Sequence, residues 1–290
     1  MIIVRLLGGI GNQMFQYAIG KNLAFRNNSQ LFLDTNYLKC NKESEKNNFT
    51  NREFQLSQLN IKAKVAGDKL LFSVLEQPRG IAKLIGRKFH IVNETYNFFE
   101  KEILDLSGDV YINGYWQSEK YFLNIKSLII DEFQVHAPLA GKNKDMAHRI
   151  QNTESVSIHI RRGDYVSNPV FSSVIGICSL DYYKKAIDFF NASLRLPLYY
   201  IFSDDIEWAR ANLKKENTFI YVDHNNETNC SEDLRLMSLC KHNIIANSSF
   251  SWWGAFLNQN IKKKVVAPKI WFKDPSLSNK DMIPESWIRL

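Results

Sequence analysis

The stretch Ser157-Ile-His-Ile-Arg-Arg-Gly-Asp-Tyr165 places a histidine, two adjacent guanidiniums, a glycine and a carboxylate in one short segment. Paired arginines are costly to hold beside a sheet without an anionic partner, and their fork matches phosphate or carboxylate oxygens bidentately. Two more polar clusters, Ser203-Asp-Asp205 and Asn247-Ser-Ser249 with Ser251 just beyond, stand where helices are expected to begin. A helix N-terminus with hydroxyls is a natural phosphate seat, and Asp204 or Asp205 could accept from a base or a ribose. Together these groups suit a nucleotide diphosphate. Each cluster alone has a plainer reading: a salt-bridged strand end for the arginines, and ordinary helix caps for the other two.

The elements that must position these residues read clearly in the second half. Val156, Ile158 and Ile160 alternate with Ser157, His159 and Arg161, the period of a strand, so His159 and Arg161 share a side. A helix from Leu180 follows, with Tyr182, Tyr183, Ala186, Phe189 and Phe190 on its apolar face. Further strands are expected over 198–202, 218–222, 242–246 and 264–267. Helices alternate with them, one marked by Ile206, Ala209 and Leu213, one capped by Ser231, and one carrying Phe250, Trp253, Gly254 and Leu257. Repeated strand–helix units predict a doubly wound parallel sheet, which binds ligands at the carboxyl ends of its strands. All three polar clusters fall at such ends, and so converge on one rim.

In the first half, residues 2–7 read as a strand, Gly8-Gly-Ile-Gly-Asn-Gln13 as a tight turn, and Phe15, Ala18, Ile19 and Leu23 as the stripe of a helix. With a strand over 30–34 this opens the chain as a β-α-β unit. Gln13 stands where the dinucleotide fingerprint needs its last glycine, so that motif is poor. The loop is either a plain strand–helix turn or a backbone approach in which the Asn12 and Gln13 amides serve a sugar or phosphate. Residues 36–53 form a polar excursion, and Arg79, Lys83, Arg87, Lys88 and His90 read as a solvated basic face. A strand over 109–114 precedes the polar-aromatic run of residues 115–122, where Trp116 and Phe122 suit either a sugar face or the core. Residues 138–144 are the expected linker.

The whole chain, 290 residues with 45% hydrophobic and 23% charged composition, is that of a folded protein of one large or two ordinary domains. Its net charge of +7 fits an acidic ligand or a membrane surface. No recurrent basic–aromatic module for nucleic acid is present, and no GxxxxGK[ST] phosphate loop. Four cysteines without CxxC spacing argue against zinc and a disulfide framework. No apolar run reaches the roughly 20 residues of a membrane span, and the N-terminus lacks a leader pattern. The expected location is cytoplasmic, with peripheral contact at the inner face of a membrane as the alternative to none.

Gly8-Gly-Ile-Gly-Asn-Gln13, His159-Ile-Arg-Arg-Gly-Asp-Tyr165 and Asn247-Ser-Ser-Phe-Ser-Trp-Trp-Gly254, in this order, resemble the α-1,2-fucosyltransferases of glycosyltransferase family 11. The resemblance spans residues 2 to about 271. It implies a GT-B-like α/β fold of two Rossmann-like domains facing across a cleft. Residues 1–140 would be the acceptor-side domain and 145–290 the GDP-fucose-binding one. It further implies inverting, metal-independent transfer of fucose to O2 of a terminal galactose in an oligosaccharide or lipid-linked glycan, with no cofactor beyond the donor substrate.

By the same match, Arg161 and Arg162 would stabilise the leaving GDP. His159 and Asp204 or Asp205 would lie near guanosine, and Ser248, Ser249 and Phe250 near the diphosphate. Gly11, Ser203 and Asn247 complete the expected donor set. Asn12, Gln13, Trp116 and Gln117 make the acceptor side, with Asn12 positioning the attacking hydroxyl. Asp164 is either the general base or the residue that orients the arginines, the second being favoured. The competing readings are a non-catalytic nucleotide- or glycan-binding module, and a metal-dependent transferase that uses Asp204 and Asp205 as ligands.

Overall fold

The computed structural model describes residues 1–40, 52–75, 88–213 and 218–290. Most of the polar excursion, together with Arg79, Lys83 and Arg87, lies outside the described residues. Lys88 and His90 are exposed, as a solvated face requires. The chain forms two compact units: Met1–Phe133 with Lys280–Met282, and Gln134–Asn279 with Ile283–Leu290.

The first unit is built on five parallel strands, β1 Ile2–Arg5, β2 Leu31–Asp34, β3 Lys64–Val65, β4 His90–Asn93 and β5 Val110–Asn113, in the order β3-β2-β1-β5-β4. Ile2, Ile3 and Val4 of the central strand are fully buried. Helix α1, Ile10–Arg26, crosses from β1 to β2 and buries the expected stripe of Phe15, Ala18, Ile19 and Leu23. It can lie close to the sheet because of Gly20, where a Cβ would meet Leu31 Cδ1 at 2.8 Å and Val4 Cγ1 at 3.2 Å. Short helices α2 Asn36–Cys40, α3 Asp68–Leu75 and α4 Lys126–Glu132 complete this unit's α-helices among the described residues.

The second unit holds six parallel strands, β6 Ser155–Ile160, β7 Leu198–Ser203, β8 Phe219–Val222, β9 His242–Ile244, β10 Val265–Ala267 and β11 Ile288–Arg289. Helices α5 Gly141–Gln151, α6 Gly163–Ser167, α7 Pro169–Val174, α8 Leu180–Ser193, α9 Ile206–Asn212, α10 Cys230–Leu239 and α11 Ser249–Leu257 accompany them. One face of β6 packs Val156, Ile158 and Ile160 against Tyr183, Ala186 and Phe190 of α8. The opposite face is buried too, with Ser157 at 2% and His159 at 4% exposure, as expected for a parallel sheet covered on both sides. The order β11-β10-β9-β6-β7-β8 reverses direction at β6, so the loops after β6 and β9 flank the topological switch point.

Several expectations need correction. The sheet does not end at Ala267, because β11 adds a further strand beside β10. Ser231 is no cap; α10 begins at Cys230 with Asn229 as its N-cap, and Ser231 is buried within the helix. Residues 138–144 are not all linker, since α5 starts at Gly141, and the division between units falls earlier, after Phe133. Lys280–Met282 belong with the first unit, where Asp281 pairs with Lys120 at 2.5 Å. No described helix is long and apolar enough to cross a membrane.

Candidate functional site

Arg161 and Arg162 leave the end of β6 at the switch point, and both are held by carboxylates. Arg161 Nη2 meets Asp164 Oδ1 at 2.5 Å, and its Nη1 meets Asp204 Oδ2 at 2.9 Å. The other Asp204 oxygen accepts from the Arg162 backbone N–H at 2.9 Å. Arg162 Nε pairs with Asp205 Oδ2 at 3.1 Å, and its guanidinium lies 4.1 Å from the Trp208 ring centroid. Burial works against the Arg161 charge, but Asp204 and then Asp164 outweigh it and hold its pKa above the ordinary guanidinium value. The result is a pair of fixed, permanently charged forks. A guanidinium carries five donors, so these contacts leave capacity for an anion.

The arrangement assigns the Ser203 cluster a specific job. Asp205 caps α9 by accepting from Trp208 N at 3.1 Å, and Ser203 Oγ accepts from Asp205 N at 3.0 Å. The plain cap reading holds for one Asp205 oxygen, while the other holds Arg162. Every oxygen of Asp204 and Asp205 receives an N–H. Among the described residues no group of three or more His, Cys, Asp or Glu side chains could hold a metal ion.

His159, on β6 two residues before Arg161, is buried with its ring 5.5 Å from that of Phe250. Burial, and then the Arg161 charge, push its pKa down to about 3, so the imidazole is neutral. Its Nδ1 is buried with no hydrogen-bond partner among the described residues.

Beyond β9, α11 starts at the same rim. Ser248 is its N-cap, is 6% exposed, and makes no side-chain capping bond. Ser249 opens the helix and Phe250 follows; the first-turn amides have no intrahelical acceptor. Ser251 turns inward, donating to Ser248 O at 3.4 Å. The Asn247 side chain is committed to the fold. It donates to Ile175 O at 3.2 Å, Gly176 O at 3.3 Å and Trp271 O at 3.1 Å, and accepts from Cys178 Sγ at 3.4 Å. The Asn247 side chain thus staples the rim.

The expected acceptor-side residues divide. The Asn12 and Gln13 backbone amides both bond to Gly9 O, at 3.0 and 3.1 Å, so neither serves a ligand. Gln13 is fully buried, and its side chain ties Gly8 O and Glu53 O, both at 2.8 Å, to the Gln55 N–H at 3.0 Å. Gly11 is buried in the first turn of α1. Trp116 is fully buried, with its ring edge-on to Tyr121, and takes the core role open to it. Asn12 and Gln117 do come together, Gln117 Nε2 donating to Asn12 Oδ1 at 2.8 Å.

Sequence reading missed Tyr165 and Trp208, which line the two guanidiniums. The Tyr165 ring is 5.3 Å from Arg161 Cζ and its hydroxyl donates to Asn247 O at 3.3 Å, joining the β6 and β9 loops. An aromatic within one turn of each charged cluster was the available signal. It also missed a cluster past β8, where Asn225 donates to Asp233 Oδ1 at 2.7 Å and to Asn143 Oδ1 at 2.9 Å. Burial pushes the Asp233 carboxyl up to about 6.

Residues 83–290 match the family described as Glycosyl transferase family 11. An alpha-1,2-colitosyltransferase of Escherichia coli is 36% identical over 301 residues, a match covering 100% of this chain and 99% of the relative. The O-antigen biosynthesis glycosyltransferase WbnK of Escherichia coli is 33% identical over 310 residues, covering 98% and 99%. Galactoside 2-alpha-L-fucosyltransferase SEC1 of Bos taurus is 26% identical over 169 residues, covering 56% of this chain and 46% of that one. Among solved structures, NodZ alpha-1,6-fucosyltransferase soaked with GDP-fucose aligns with a TM-score of 0.53 at 12% identity, covering 88% of this chain and 91% of NodZ. At that identity the likeness is one of fold, a GT-B-like α/β architecture with two parallel sheets.

Proposed function

The chain belongs to glycosyltransferase family 11, and from that premise we propose that this glycosyltransferase moves L-fucose from GDP-fucose, with inversion, to O2 of a terminal galactose. The observation that carries the proposal is the Arg161–Arg162 pair, fixed by three aspartates at the switch point of the second sheet. Breaking the glycosyl–phosphate bond builds negative charge on the β-phosphate while the sugar becomes oxocarbenium-like. Cations already in place at the leaving oxygen act where that charge develops and need no reorganisation. The Ser248 hydroxyl and the first amides of α11 supply neutral donors to the same diphosphate. In this reading His159 serves the guanosine, and Phe250, its ring 5.5 Å away, borders the diphosphate.

Asp164 is assigned to orienting Arg161. Its Oδ1 is engaged by the Arg161 guanidinium at 2.5 Å, and a loose transition state makes small demands on a base. Asp204 and Asp205 act as arginine holders. The acceptor is a galactose-terminated oligosaccharide or lipid-linked glycan, a class supported by the O-antigen relative. The reaction is placed in the cytoplasm, where a lipid-linked acceptor would bring this basic chain against a membrane surface.

A second reading, transfer of colitose in place of fucose, is favoured by the name of the relative at 36% identity. Incubation with GDP-fucose or a nucleotide-activated colitose, with lactose or N-acetyllactosamine as acceptor, separates the two. The expected product is α-1,2-linked fucose by NMR, formed equally well in EDTA. Saturable GDP binding with no product from either donor would return the chain to a binding module.

A further inference from the structure

At the carboxyl end of the first sheet, the loop after β5 passes through an unusual backbone conformation. Trp116 has φ +55°, in the left-handed region, at a cost of about 1–3 kcal/mol for a bulky residue. The turn sends neighbouring rings opposite ways: Trp116 is fully buried and Tyr115 is 47% exposed. A carboxylate from the next strand secures it. Glu94, just past β4, accepts from Tyr115 N at 2.6 Å and from Trp116 N at 2.9 Å. Gly114 makes room, since a Cβ there would collide with the Glu94 side chain. Gln117 then fastens the far end of the loop to α1 through Asn12.

Strain, a half-buried carboxylate and a required glycine are a costly way to expose one tyrosine, unless that ring has work at the surface. Its neighbours indicate the work. Tyr37, in α2 just past β2 with the Arg5 guanidinium 5.1 Å from its ring, follows the carboxyl end of a strand parallel to β4 and β5, so Tyr37, Glu94 and Tyr115 belong to one rim. An aromatic face edged by side-chain amides and a carboxylate is the make-up of a pyranose subsite. The ring covers the C–H face of the sugar and the polar edge takes its hydroxyls.

We propose that Tyr115, presented by the Glu94 clamp, is the stacking platform for the terminal galactoside of the acceptor, with the Asn12–Gln117 amide pair at its polar edge. Glu94 is a positioning residue, acting through the Tyr115 and Trp116 amides. This rests on the glycosyl-transfer reading, so the test carries a readout that needs no turnover. Saturation-transfer NMR of lactose with the full chain and GDP reports acceptor contact, and kinetics with GDP-fucose and lactose report transfer.

Tyr115→Ala is expected to weaken lactose binding and raise its KM at least tenfold, with GDP affinity within twofold. Tyr115→Phe, which keeps the ring, should restore lactose KM to within about threefold of the parent. Glu94→Gln sets an amide N–H against one loop N–H and should raise lactose KM far more than it lowers kcat. Unchanged GDP affinity and circular dichroism establish that these variants are folded. Lactose binding by Tyr115→Ala equal to that of the parent, or no lactose contact by the parent, overturns the proposal. Lactose contact that Tyr115→Ala abolishes, in a parent showing no turnover, would sink the transfer reading and leave the subsite standing.

Discussion

Gly163 and Asp204 sit so close that the loop after β6 admits no side chain between them. A Cβ on Gly163 would collide with the same carboxylate that pairs with Arg161 at 2.9 Å and caps the Arg162 amide at 2.9 Å. The glycine therefore allows a strand end and a neighbouring strand's aspartate to share one turn.

Gly163→Ala should push Asp204 away and release both of its contacts at once. Activity is expected to fall at least tenfold while the thermal midpoint moves little, because the residue is only half-buried on a rim. Steady-state kinetics and a melting curve check this together. A fully active alanine variant would mean that the Asp204 bridge does not set the arginine geometry.

The role of Asp164 is open to a direct test. As an orienting residue, Asp164→Asn should cost about tenfold in kcat and leave the shape of the pH–rate profile unchanged. A general base would instead cost about 10²–10⁴ and remove the acidic limb. Measuring kcat from pH 5 to 9 for both proteins distinguishes the two.

His159 should remain neutral well into acid. Burial first, then Arg161, lowers its pKa from 6.5 to about 3 in the folded state. Between those values the unfolded chain binds the proton and the native one does not, so the His159 contribution destabilises the fold as pH falls from 6.5 toward 3. A His159 ring resonance that does not titrate above about pH 4 is the expected NMR result. A midpoint near 6.5 would place the ring in solvent.

The second sheet and its arginine rim were legible because alternation in β6, continuous apolar runs in β7, and the rule for carboxyl ends all agree. What escaped depends on contacts across strands. The β3 and β4 strands carry mostly exposed residues, so they show no buried face to read. With β4 unread, the Glu94 clamp on the β5 loop could not be foreseen. Trp116 suits a sugar face or the core equally by type, and the left-handed turn at this residue, which sends its ring inside, has no mark in the sequence. Gln13 and Asn247 look like ligands by type, yet their amides are spent on loop carbonyls, a role no spacing rule announces. Asp204 and Asp205 read as acceptors for a base or ribose because the sequence does not show which arginines stand opposite them.

The central claim is that Arg161 stabilises charge on the leaving diphosphate. Single-turnover transfer from GDP-fucose to lactose by Arg161→Ala, set beside calorimetric GDP binding, tests it most directly. The expected result is a rate lower by about 10²–10³, with GDP affinity falling less than tenfold, since the interaction strengthens as the bond breaks. A variant that transfers within threefold of the parent rate would contradict the account.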